Sequence, residues 1–228
     1  MGNLLVTQED WKYVMEYNPP YFMNDELPIE CIGSCEAALF CHRKSEENGQ
    51  NLCCAIHGEQ GECEVHADGY RLPTEAEWEL AAIGGAKSEG FRYAGSDALD
   101  DVAWYSKNAG KTTHLRGRKL PNGLGAYDMC GNVFEWCGDR LDKFDCEYMD
   151  NPKGPAKGKM KATRGNNWVN GETASEVTRR AHRDPYCVTH HKASNLHTKD
   201  SLCKIFRASL GVEKPNTDYS LCQRIRLM

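Results

Sequence analysis

"LPNGLGAYDMCGNVFEWCGDR", residues 120–140, sets Tyr127, Phe134 and Trp136 among glycines, two cysteines and several acids. No long periodic run marks it as an amphipathic helix or a half-buried strand. Glycine and asparagine at this density mark turns. The three rings are too large to be left in water together, so they are expected to be embedded between irregular segments. The same texture runs from Phe91 to Met160 and includes Trp104. It predicts a loop-rich region with ordered coil around buried aromatics.

Toward the N-terminus the signals become helical. "VTQEDWKYVMEYNPP" predicts a short helix with Thr7 as N-cap, Asp10 at N3, and Trp11, Val14 and Met15 on one stripe, stopped by Asn18-Pro19-Pro20. "GSCEAALFCHRKSEENG" predicts a second helix, capped by Ser34, with Cys35, Ala38 and Leu39 facing inward. "LCCAIHGEQGECEVHADGY" reads as a hairpin. Its Cys53, Cys54, His57, Cys63 and His66 could be drawn as a zinc site, but side chains that alternate between two faces cannot all converge on one metal. "RLPTEAEWELAAIGG" carries a capping box, Thr74 with Glu77, a staple of Pro73 on Trp78, and Gly84-Gly85 as a stop.

At 228 residues, 40% of them hydrophobic, the chain is long enough for one substantial core, and a single domain over residues 1–228 is expected. No apolar run is long enough to span a bilayer. The opening "MGNLLVTQED" has no basic stretch followed by an apolar one, so no secretory signal is visible, and cell-surface, secreted and phage-borne settings all stay open. Twelve cysteines permit full pairing without demanding it. Charge is uneven: residues 1–160 hold 16 Lys/Arg against 27 Asp/Glu, whereas residues 161–228 hold 12 against 6. Internal ion pairs with the acidic part, or an acidic ligand, would each account for the basic end. No block of consecutive Lys/Arg points to nucleic acid.

"VTQEDWKYVMEYNPPYF", "DGYRLPTEAEWELAAIGG", "LPNGLGAYDMCGNVFEWCGDR" and "TRGNNW" resemble, in order and spacing, the hallmark segments of the formylglycine-generating enzyme family, also called the sulfatase-modifying-factor family. The resemblance implies an α+β chain with a C-type lectin-like fold of the formylglycine-generating-enzyme type, rich in irregular coil with few short helices and strands. It also implies a calcium site in some members at the segment "GNVFEW", carried here by Asn132, Val133 and Glu135. The alternative for Glu135 is a buried carboxylate hydrogen-bonded to backbone amides.

Enzymes of the family oxidise a substrate cysteine with molecular oxygen through copper(I), held by two thiolates five residues apart shortly after a Gly-Gly-Ser-aromatic motif. Here that region reads "RGNNWVNGETASEVTRRAHR". Aligned without gaps from Gly165, the cysteine positions fall on Asn170 and Ser175, and the motif serine on Asn167. A second register, preferred because it leaves almost no tail, places Arg207 and Arg224 in the closing family segment and needs about twenty-five inserted residues, a length tolerated in a surface loop. It moves the cysteine positions to Ser194 and Lys199. Neither register retains the thiolate pair, so no copper is expected.

Some bacterial and phage proteins that resemble this family bind ligands, among them hypervariable proteins diversified by retroelements, whose C-terminal segment displays exchangeable side chains on a rigid scaffold. The expectation is a non-catalytic ligand-binding protein of that kind, recognising a macromolecule, protein or surface glycan, through residues 161–228. Trp168, Asn170, His182, Tyr186, His190, His191 and Tyr219 are the contact residues. The rival readings are a diverged metal-dependent oxidase and a structural domain without a ligand.

Overall fold

The computed structural model describes residues 1–57, 60–63, 68–141, 152–155, 158–186 and 203–204. Helix α1, Gln8–Met15, begins at Thr7, whose hydroxyl accepts from the Asp10 N–H while the Asp10 carboxylate accepts from the Thr7 N–H. Trp11, Val14 and Met15 are buried, as the sequence predicts. Helix α2, Ser34–Glu47, starts after Gly33 and buries Ala37, Ala38, Phe40 and Cys41. Leu39 packs half-buried against the same core, as predicted, whereas Cys35 is only half-buried and outside it, which corrects that part of the face. Nearly every position from Cys35 to Cys41 is apolar, so spacing alone does not select a stripe. Packing does: Phe40 stacks flat on Trp11 with centroids 5.3 Å apart.

Strands β1, Cys54–His57, and β2, Gln60–Cys63, form the expected antiparallel hairpin, with Cys54 opposite Cys63. Helix α3, Glu75–Ala82, carries its predicted capping box, and Gly84 lies in the left-handed region just past its end. A single helical turn, α4, spans Leu99–Val102. Strand β3, Phe134–Arg140, runs through the stretch predicted as coil. Strands β4, Lys161–Arg164, β5, Ala181–Arg183, and β6, Cys203–Lys204, complete a sheet of order β5-β4-β3-β6. β4 is antiparallel to both neighbours, pairing Glu135 with Arg164 and Ala162 with His182, and β6 runs parallel to β3.

β3 was illegible because both its faces are covered. Phe134 and Trp136 enter a core with Trp11, Ile29, Phe40 and Leu72. Cys137 enters a second core with Trp78, Val102, Tyr105 and Met129. A strand buried on both sides shows no alternation of polar and apolar residues. The Trp136 indole N–H donates to the Ile32 carbonyl at 3.0 Å, which ties β3 to the segment entering α2.

Two arginines fasten the C-terminal segment to α3. Arg164, fully buried on β4, donates to Glu75 at 2.9 Å, to Glu79 and to the Val177 carbonyl, with its guanidinium 4.9 Å from the Trp78 ring centre. Arg180 donates to both oxygens of Glu75. Burial pushes the Glu75 carboxyl up, but the Arg180 and Arg164 guanidiniums reverse this and hold it below the usual range. Part of the basic excess beyond residue 160 is therefore neutralised internally.

Candidate functional site

The segment after β4 turns sharply. Gly165 has φ +86, and a side chain there would stand 3.2 Å from Glu135 Oε1, the Met129 carbonyl and the Trp78 ring. Its carbonyl accepts from the Gly131 N–H. Gly131, at φ +96, lies so close to Trp104 that a Cβ would meet the Trp104 carbonyl at 2.3 Å. Only glycine allows these two backbones to approach.

Between them sits Asn132, also at positive φ. Its N–H donates to the Trp104 carbonyl at 2.7 Å, and its carbonyl accepts from the Trp168 N–H at 3.0 Å. Its side-chain Oδ1 accepts from the His114 N–H at 3.0 Å, and its Nδ2 donates to the His114 carbonyl at 2.9 Å. The residue thus bridges three segments. Val133 and Glu135 are fully buried beside it.

The loop that follows is an amide network. Asn166, at φ 65, donates to the Ser175 hydroxyl at 2.6 Å and accepts from Asn170 Nδ2 at 3.0 Å. Asn167 accepts from the N–H groups of Val169 and Asn170, both at 3.2 Å. The Asn170 carbonyl accepts from the Ser106 N–H at 3.0 Å. Asn170 and Ser175 are therefore brought together through one shared partner, Asn166.

A family profile for the Sulfatase-modifying factor enzyme 1-like domain matches residues 4–192. The chain belongs to the sulfatase-modifying factor family. The Chaperone protein LppX of Paenibacillus barcinonensis is 33% identical over 215 residues, covering 78% of this chain and 72% of that protein. The Formylglycine-generating enzyme of Streptomyces coelicolor is 35% identical over 119 residues, covering 44% of this chain and 37% of the enzyme. The structure of Treponema denticola variable protein 1 superposes with a TM-score of 0.75 at 29% identity, covering 79% of this chain and 77% of that one. The α+β architecture of few short helices, short strands and extensive coil is the fold of the sulfatase-modifying factor family.

In the ungapped register, Asn170 and Ser175 stand where the family's enzymes hold copper; the positions of the second register, Ser194 and Lys199, and its arginines Arg207 and Arg224 lie outside the described residues. Their amide and hydroxyl groups are hard donors, whereas copper(I) selects soft sulfur. Cys31, Cys35, Cys41, Cys53, Cys130 and Cys137 are thiols. Burial, with the Glu30 carboxylate adding to it, pushes the Cys31 thiol up to about 12, and burial likewise raises Cys137, so neither is a ready thiolate. Among the described residues no three His, Cys, Asp or Glu side chains converge to hold a metal. Asn170 and Ser175 do not fit copper(I). At the calcium segment, Asn132 Oδ1 and the Asn132 carbonyl each accept one N–H and keep a second lone pair, and Val133 and Glu135 are fully buried beside them.

The predicted contact residues separate into three groups. Trp168 is half-buried against Leu5, Cys31 and Val133, and its ring meets Phe22 edge-on at 5.7 Å. Asn170 is committed to the amide network. His182 is exposed on β5, and Tyr186 is exposed in the turn where Pro185 accepts from the Ser34 N–H at the start of α2. His190, His191 and Tyr219 lie outside the described residues. A cleft of about 240 Å³ between Ile83, Phe91, Tyr93 and Pro121 is lined by none of the seven. Sequence reasoning missed Asn166 as the joint of the network and Phe22 as the neighbour of Trp168. The asparagine run "GNNWVNG" was the available signal for the first, since asparagine tolerates left-handed backbone and hydrogen-bonds locally.

Proposed function

We propose that this chain is a binding member of the family, which holds a macromolecular ligand on a surface formed by residues 161–228 and does not oxidise a substrate cysteine through copper. The observation that carries this reading is the Asn170–Asn166–Ser175 network. In the ungapped register it fills the position of the thiolate pair with an amide and a hydroxyl, both bonded to Asn166, which ties the loop into one arrangement. Asn167 Nδ2 is a buried donor with no partner among the described residues. A rigid loop suits display, because binding then costs little ordering entropy.

The finer reading is a retroelement-diversified receptor. Similarity to a variable protein supports it, as does the outward placement of His182 and Tyr186 on a framework fixed by Arg164 and Arg180. A chaperone among the relatives favours a protein as the ligand.

Sequencing the gene and its flanks from independent isolates tests the receptor reading. It predicts a near-repeat of the 3′ coding region that differs at adenines. Variation should fall on the codons of His182 and Tyr186 and spare those of Arg164 and Asn166. A 3′ region with no repeat and no clustered variation would remove this reading.

A further inference from the structure

Large exposed apolar side chains scattered singly over a surface need no explanation, but a cluster does. Tyr13 is 76% exposed, Tyr21 53% and Met23 69%, all within eleven residues of α1 and the loop that follows it. That loop is held in place. Buried Gln8 accepts from the Asn24 N–H at 3.1 Å and from Asn18 Nδ2 at 3.3 Å, and donates to the Phe22 carbonyl at 2.6 Å. Buried Glu30 accepts from the Phe22 N–H at 2.7 Å. The returning chain pairs with α1 through Gln8 N–H to Leu27 and Glu9 N–H to Asp25. Tyr21 and Met23 are thus held outward by a fixed backbone.

The charge of this face has one sign. Residues 8–27 carry five exposed carboxyl side chains, Glu9, Asp10, Glu16, Asp25 and Glu26, and a single cation, Lys12, which is bound to Asp25. Neighbouring cations are committed as well: Arg116 to Asp10, Lys44 to Glu47, and Arg43 to the Val14 carbonyl. Exposed Glu9, Glu16 and Glu26 have no ion pair among the described residues.

We propose that the outer face of α1 and the Asn18–Leu27 loop is a docking surface for a cationic polypeptide segment that carries lysine or arginine beside apolar side chains. The carboxylates attract and orient the cations. Tyr13 already holds Lys44 5.6 Å from its ring centre, so the exposed Tyr21 ring receives a partner cation by cation–π contact, and Met23 adapts to the apolar neighbours. Nucleic acid and anionic membrane would be repelled by the same charges. The loop adjoins Trp168 through Phe22, but the inference is argued from residues 9–27 and does not depend on the function proposed above.

The test is fluorescence anisotropy of the full chain with a labelled peptide of repeated Lys-Leu-Arg-Gly units, beside a matched peptide of Glu-Leu-Asp-Gly units. The cationic peptide should bind and the acidic one should not, with affinity falling at least about tenfold in Glu9→Lys/Glu16→Lys/Glu26→Lys and several-fold in Tyr21→Ala/Met23→Ala. Circular dichroism melting should show the fold intact, and the Glu→Gln triple should lose affinity in the same direction if the lysine variant melts early. His182→Ala and Tyr186→Ala should bind the peptide as the parent does. Equal binding of both peptides, failure to bind either, or cationic binding indifferent to the carboxylate substitutions would each overturn the proposal.

Discussion

Arg164 concentrates more of the structure's cost and gain than any other single side chain described. A fully buried guanidinium must recover its lost hydration, and its Nη1 and Nη2 groups do so from Glu75, Glu79 and the Val177 carbonyl, while Nε has no partner among the described residues. Removing one partner of such a cluster leaves the other charges buried without compensation. Arg164→Ala should therefore destabilise the chain by about 3–5 kcal/mol in urea unfolding. Two buried carboxyls act oppositely to Glu75. Burial pushes Glu30 up to about 7, against the Phe22 and Tyr21 N–H groups that favour its charge, and pushes Asp139 up to about 6. Both folded values lie above the unfolded ones, so the folded chain holds its protons more tightly. The stabilisation is complete below about pH 4 and is lost as pH rises through 6 to 7. The thermal midpoint should fall between pH 5 and 7.5, and Glu30→Gln should flatten that slope. A rising midpoint across the window would contradict the assignment.

At the scale of elements, helices with local signatures were legible and strands without them were not. The capping boxes Thr7–Asp10 and Thr74–Glu77 fix where α1 and α3 begin, because each satisfies its own orphan N–H groups from nearby sequence. The buried face of α2 depended on where Trp11 stands, and β3 on being covered from both sides, and neither is a local property. The candidate site was legible in the same uneven way. The absence of thiolates at Asn170 and Ser175 could be read from the sequence, but their joining through Asn166 needed the fold. Trp168 was expected to anchor a ligand, but it also packs against Leu5, Cys31, Val133 and Phe22. Trp168→Ala should consequently lower stability by about 3 kcal/mol, whereas Tyr186→Ala should stay within about 0.5 kcal/mol of the parent in the same denaturation experiment.

Across the whole molecule, the acidic part and the basic end are joined at α3, where Glu75 and Glu79 receive Arg164 and Arg180. That junction holds the 165–186 segment on a scaffold shared with enzymes, and the scaffold alone does not determine the chemistry. The residues at the family's copper position do, and on the ungapped register these are Asn170 and Ser175, an amide and a hydroxyl each bonded to Asn166. The most direct measurement is copper stoichiometry of the purified chain after anaerobic incubation with copper(I), followed by oxygen uptake with a cysteine-containing peptide. The account predicts no retained copper and no peptide-dependent uptake; one tightly held copper(I) per chain, with oxygen consumed only when the peptide is present, would contradict it.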